Sequence, residues 1–313
     1  MRILFMCPGG QTNGNSPSEL LAKEVGSISE NVSVEIFNER FNSYSGQKGF
    51  DLVWGDMDGS GVLNKALAAA KKMRVPCYLH GEWIPPYRWE AGWSKEFNEP
   101  TKLDMKPIYE RNIKAMRQAD LVSLALSSTP GGFEWLAERG VEFENPFVRY
   151  PSFKKQDLLT PPLDEVKVCT VARLADGKKR VAHTLKALEA SKMRPIFETI
   201  GQGSVRSDVI EVRNRGSFND DRKHQTYASS AIAIQHWSGI PPAEAMMQGT
   251  PVISYDIPYM RELYADSLIW VEKDNIEQLS YKIDTLLGDS STLLEADKGF
   301  SGRERLLSGK LNV

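Results

Sequence analysis

Gln235-His236-Trp237-Ser238-Gly239-Ile240-Pro241-Pro242-Ala243-Glu244-Ala245-Met246-Met247-Gln248-Gly249-Thr250-Pro251-Val252-Ile253 puts a strand end, a glycine-bearing loop, a helix and a second strand in one run. The apolar residues Ala231 to Gln235 read as a buried strand, Pro242 to Gln248 as a helix, and Pro251 to Tyr255 as the next strand. Apolar strands separated by a single helix are the unit of a parallel α/β sheet. Backbone N–H groups at a helix start point outward with partial positive charge, so Ser238, Gly239 and Ile240 lie where a pyrophosphate would sit. Pro241 and Pro242 lack that hydrogen, which thins the seat. Glu244, in the first turn, is placed to accept hydrogen bonds from two vicinal ribose hydroxyls. Capping and turn chemistry would produce much of this pattern without any ligand.

Outward from this run the same alternation continues. Upstream, Val166 to Val171 is a strand and Val181 to Ala190 a helix. Pro195 to Ile200 is a strand ending at Gly201-Gln202-Gly203, Val209 to Val212 a short strand, and Asp220 to Ser229 a helix. Downstream, Ile276 to Leu287 is a helix. The first half reads likewise, with strands at Ile3 to Cys7, Val32 to Phe37, Asp51 to Trp54, Val75 to His80 and Leu121 to Leu126. Helices are expected from Pro17, capped by Ser16, and over Gly61 to Met73, Ile108 to Gln118 and Gly132 to Arg139. Periodicity fails between Gly81 and Lys106, where Trp83, Trp89 and Trp93 crowd a long charged loop. The Pro-bearing segment from Tyr150 to Glu165 reads as a linker. The expected architecture is α/β: two Rossmann-like domains, residues 1–150 and 166–290, facing a central cleft across a 151–165 linker, with a 291–313 tail. In such sheets ligands gather at the carboxyl ends of strands, which selects Gly9, His80, Arg173, Gly201 and His236.

Composition narrows the classes. The chain has 313 residues with 41% hydrophobic and 26% charged content, a soluble globular balance. A formal net charge of -2 argues against a protein built to neutralise nucleic-acid phosphates. Cys7, Cys77 and Cys169 show neither CxxC nor Cys/His spacing, so buried thiols in a reducing cytoplasm are expected and no zinc site. The N-terminal apolar run is too short for a signal peptide, and nothing approaches the roughly 20 residues of a membrane span.

The segment around Glu244 resembles the donor motif of retaining GT-B glycosyltransferases of family 4 (glycosyl transferases group 1). That motif is Glu-x7-Glu, then Ala-Met and Gly-Thr-Pro-Val; here Glu244, Ala245-Met246 and Gly249-Thr250-Pro251-Val252 agree, and His236 stands at the first acidic position. Val171-Ala172-Arg173-Leu174-Ala175-Asp176-Gly177-Lys178-Lys179 resembles the family segment whose Arg and Lys neutralise the departing diphosphate. The resemblance therefore casts Arg173 with Lys179 in those roles and Lys178 as an alternative, because a developing negative charge is best met by preorganised cations. Gly201-Gln202-Gly203 and Arg215-Gly216-Ser217-Phe218 fall where the family places base and diphosphate loops. In the first half, Gly9-Gly10 matches the family's glycine loop, and Leu79-His80-Gly81-Glu82 its His-Asp pair, whose His contacts the donor sugar. Glycine there lets backbone approach a ligand.

The resemblance implies a hexosyltransferase using a nucleoside-diphosphate sugar, UDP- or GDP-linked, with retention and without a metal or other cofactor. Its acceptor is an unidentified sugar, glycolipid, protein or modified nucleic acid. The tail is expected to cross back to the first domain. Asp56 and Asp58 read as caps for the following helix in preference to acceptor-side carboxylates. The aromatic loop suits stacking on a sugar or planar acceptor, or an interdomain plug. Rival readings are a nucleotide-sugar binder weakened by His236, a nucleotide-sugar epimerase, and a phage-type enzyme acting on DNA bases.

Overall fold

The computed structural model describes residues 1–7, 17–38, 48–56, 61–81, 106–125, 132–141, 147–149, 157–159, 165–217, 219–236 and 240–288. The chain divides into two compact units, Met1–Ser152 and Phe153–Val313.

The first unit is built on β1 (Arg2–Cys7), β2 (Ser33–Asn38), β3 (Leu52–Asp56), β4 (Cys77–Gly81), β5 (Leu121–Ala125) and β6 (Phe147–Arg149). They lie in the order β2-β1-β3-β4-β5-β6 with every pairing parallel. The helices described are α1 (Pro17–Ser27), α2 (Val62–Met73), α3 (Lys106–Met116) and α4 (Gly132–Ala137). Strand β1 shows why the sheet is covered on both faces. Leu4 and Met6 join one apolar cluster with Leu63, Ala66 and Ala70 of α2 and Met116 of α3. Ile3, Phe5 and Cys7 join another with Ala22 of α1 and Trp54. A strand buried on both sides loses the polar alternation of a solvated one. Gly55 makes room for α2: a Cβ added there would lie 2.7 Å from the Cβ of Ala66.

The second unit holds β7 (Lys167–Val171), β8 (Ile196–Ile200), β9 (Val212–Asn214), β10 (Ile232–Ile234), β11 (Val252–Tyr255) and β12 (Ile269–Val271). Their order is β12-β11-β10-β7-β8-β9, again parallel throughout. Its helices are α5 (Val181–Ala190), α6 (Asp220–Ala228), α7 (Pro241–Met247), α8 (Pro258–Tyr264) and α9 (Ile276–Gly288). Val168, Cys169, Phe197, Ile232, Ala233, Ile234, Val252 and Ile253 fill the core. The expected α/β class with paired parallel sheets is the one observed.

Some elements differ from the sequence reading. Strand β9 starts at Val212, where Val209 to Val212 was expected. The hydroxyl of Ser207 accepts hydrogen bonds from the amides of Val209 (3.1 Å) and Ile210 (3.2 Å), holding that segment in a turn. Asp56 does not cap α2; Gly61 occupies the N-cap, and Asp56 is fully buried at the end of β3. All three cysteines are buried thiols, and burial pushes Cys77 and Cys169 up to about 12. Among the described residues, no helix is long and apolar enough to cross a membrane.

Candidate functional site

In the second sheet the chain runs from β7 outward to β8 and β9, then returns to lay β10 on the other side of β7. The connections after β7 and β10 therefore leave the same edge in opposite directions, the switch point at which sheets of this kind hold their ligands. Arg173 lies two residues beyond β7, Gly201 directly after β8, and His236 two residues beyond β10. Each helix that follows a parallel strand begins at this same edge. The first turns of α6 and α7, with Lys223 and Glu244, accordingly lie at the same edge as the loop that carries Arg173.

The loop after β7 is stitched to the loop after β8. The amide of Ala172 donates to the carbonyl of Ile200 (2.9 Å), and that of Leu174 to Gln202 (2.9 Å). Gly203, at φ 109°, is where Leu174 comes close: an added Cβ would stand 3.3 Å from the Cβ of Leu174. Gly201 in turn donates to the carbonyl of Gly216 (2.8 Å), itself at φ 79°. Arg173, Gly201, Gly203 and Gly216 thus belong to one bonded cluster of loops. Neighbouring Arg215 has a structural task. Its guanidinium bonds Glu198 (3.0 Å), a carboxylate buried in β8 that also accepts from Thr226 (2.9 Å).

The Arg173 side chain is 65% exposed and pairs with Asp176 at 3.0 Å. Lys179 ends a 3-10 turn, Gly177–Lys179, in which its amide donates to Asp176 (2.9 Å). The side chain of Lys178 lies outside the described residues. The next residue, Arg180, takes a left-handed conformation (φ 51°) and grips Asp274 with two nitrogens, at 2.8 and 3.1 Å. This clamp ties the Lys179 turn to the loop after β12. Neither Arg180 nor Asp274 was read from the sequence as part of the site.

At the end of β10, His236 is 3% exposed. Its Nδ1 accepts from the amide of Tyr255 (3.2 Å), and its ring stacks on Tyr255 at 3.8 Å and 15°. Burial, with the nearby charges of His183 and Arg180, pushes its pKa down to about 3. Below its ordinary value of 6.5 the imidazole takes up a proton in the unfolded chain and stays neutral in the folded one. Stability is therefore fully present above that value and is lost as pH falls toward about 3. The loss is about 1.4 kcal/mol for each pH unit in that window. Urea unfolding of His236→Gln at pH 7 and pH 5 is expected to show a flatter pH slope than wild type; an unchanged slope would rule this out.

Ser238 and Gly239 lie outside the described residues. Ile240 is the N-cap of α7, which opens on Pro241 and Pro242, so its first turn has few N–H groups to offer. Glu244 accepts from Lys223 at 2.6 Å through Oε1, with the two side chains only 13% and 12% exposed. Lys223 also reaches Asp220 at 3.1 Å. Burial alone would lower the Lys223 pKa, but Glu244 and Asp220 outweigh it and raise the value. Lys223 was not anticipated, although its i,i+3 spacing from Asp220 was available as a signal.

In the first unit, His80 is fully buried near the end of β4. Strand register aligns Asp56, His80 and Ser123 across β3, β4 and β5. The Nδ1 of His80 lies 2.7 Å from the hydroxyl of Ser123, which is 2.5 Å from that of Tyr78. Asp56 Oδ1 stands 4.0 Å from His80 Nε2. Ser123 was legible only as a polar residue between Val122 and Leu124. Gly9, Gly10, Asp58, Glu82 and the aromatic loop from Trp83 to Trp93 lie outside the described residues. Among the described residues, no group of three or more His, Cys, Asp or Glu side chains is arranged to hold a metal.

Residues 211–300 match the family described as glycosyl transferases group 1. No curated protein matches the chain in sequence. Among solved structures, HepE from Anabaena in complex with UDP and glucose matches with a TM-score of 0.69 and 15% identity, over 96% of this chain and 93% of that one. Sucrose-phosphate synthase from Thermosynechococcus elongatus gives 0.61 and 16%, over 98% and 94%. WaaG, a glycosyltransferase involved in lipopolysaccharide biosynthesis, gives 0.65 and 13%, over 97% and 95%. The fold is that of the GT-B glycosyltransferases.

Proposed function

We propose that this chain moves a hexose-type sugar from a UDP- or GDP-sugar to an acceptor, with retention at the anomeric carbon and without a metal. The observation that carries the reading is the switch point between β7 and β10, with Arg173 and Glu244 at one edge of one sheet. The solved HepE complex with UDP and glucose supports a nucleotide-sugar donor. In the proposed reaction the C1–O bond to the diphosphate breaks and its bonding pair leaves with the diphosphate, while the acceptor hydroxyl oxygen forms the new bond to C1 and its proton passes to the departing diphosphate oxygen. Arg173 and Lys179 meet the growing charge on the diphosphate, with the amides of Gly203 and Gly216 lining the same loops. Glu244, held on one oxygen by Lys223, offers Oε2 to the ribose. His80 and His236 contact the sugar. Three buried thiols suit a reducing cytoplasm.

Calorimetric titration with UDP-, GDP- and ADP-sugars, read beside release of free nucleoside diphosphate, tests this. Binding and slow donor hydrolysis with a UDP- or GDP-sugar are expected. Absence of binding to every nucleotide sugar would end the reading.

A further inference from the structure

We infer that His236 is a fixed, uncharged hydrogen-bond donor, presenting Nε2–H to an acceptor oxygen of the bound nucleotide sugar. This rests on the donor site proposed above and specifies the polarity of one of its contacts. A ring nitrogen that accepts a hydrogen bond carries no hydrogen, and Nδ1 accepts from the amide of Tyr255 at 3.2 Å. The hydrogen of the neutral ring is therefore on Nε2. Stacking on Tyr255 at 3.8 Å holds the ring in that plane.

Two observations direct the N–H to a ligand, and a third keeps the ring uncharged. Nε2 is buried and has no hydrogen-bond partner among the described residues. Folded proteins keep few such groups without a reason. The residue stands at the carboxyl end of β10, beside the switch point, and opens the connection to Glu244. Finally, the charges around it oppose protonation. Arg180 and His183 approach from the start of α5, and Tyr255 from β11. Asp274, the carboxylate beside them, is bound by Arg180 at 2.8 Å and approached by His183 at 3.4 Å.

A carboxylate at this position would accept hydrogen bonds from sugar hydroxyls. The imidazole reverses that polarity. Its partner is an oxygen that accepts: a hydroxyl, carbonyl or carboxylate oxygen of the sugar, or a phosphate oxygen.

The test pairs spectroscopy with binding. Nitrogen-15 NMR of histidine-labelled protein at pH 7, assigned by loss of signal in His236→Gln, should show Nδ1 unprotonated and Nε2 protonated. His236→Gln retains an N–H near the Nε2 position and should bind UDP-glucose within about threefold of wild type. His236→Leu, which removes the donor without adding charge, and His236→Glu should each weaken it about tenfold, the loss of roughly one hydrogen bond. Weakening confined to UDP-glucose places the acceptor oxygen on the sugar, and equal weakening toward UDP places it on the diphosphate; both support the inference. A protonated Nδ1, unchanged binding by the Leu variant, or a gain of activity in His236→Glu would overturn it. Failure of wild type to bind any nucleotide sugar would instead overturn the donor site, leaving the tautomer as measured.

Discussion

Arg173→Ala is expected to slow turnover about 10²–10³-fold, the range seen when one preorganised donor to a developing negative charge is removed. The protein should remain folded. Arg173 is 65% exposed and its ion pair is with Asp176, three residues away and 10% exposed, so its loss should cost about 1 kcal/mol, the upper end for exposed pairs. Nucleotide affinity should fall less than turnover, because charge on the diphosphate grows as the bond breaks. Arg173→Lys should recover only part of the rate, since an ammonium lacks the planar fork that matches phosphate oxygens. Rates from single-turnover donor cleavage, beside a urea unfolding curve for each variant, make the check. A variant that is folded and fully active would remove Arg173 from the mechanism.

Glu244→Ala carries the other large effect, and it divides into two parts. The first is affinity: losing a charged acceptor for ribose hydroxyls should weaken nucleotide binding about 10–100-fold. The second is stability. Glu244 holds Lys223 at 2.6 Å in a pair whose side chains are 12–13% exposed, and removing one member of a buried pair leaves the other charge uncompensated. Asp220 at 3.1 Å remains as partial compensation, so a loss of about 3 kcal/mol, the low end of the usual range, is expected. The double variant Glu244→Ala with Lys223→Met separates the parts. Stability should return toward wild type while nucleotide affinity does not. Recovery of both would make Glu244 a packing residue with no part in the donor site.

The two-sheet architecture was legible because parallel strands buried on both faces read as short apolar runs. Ile3 to Cys7, Val166 to Val171 and Pro251 to Tyr255 each announced a strand within a residue or two. Short edge elements carried less signal. Phe147–Arg149 and Ile269–Val271 span only three residues apiece and went unread, and Ser207 diverted Val209 and Ile210 into a turn. Local pattern put Arg173, Gly201, Gly203 and Glu244 at the carboxyl edge of the second sheet, since each follows a strand or opens a helix. Their supports were hidden because they are distant in sequence. Lys223 reaches Glu244 from another helix, Asp274 grips Arg180 from the far side of the sheet order, and Tyr255 fixes His236 from the neighbouring strand. Contacts of that kind depend on strand order, which β10 settles by pairing with β7.

A crystal structure of the protein with UDP bound would locate the diphosphate outright. The diphosphate is expected between the connections that follow β7 and β10, within hydrogen-bonding reach of the Arg173 guanidinium, with the ribose on Glu244. Nucleotide bound at the opposite edge of that sheet, or with its ribose out of reach of Glu244, would contradict that placement.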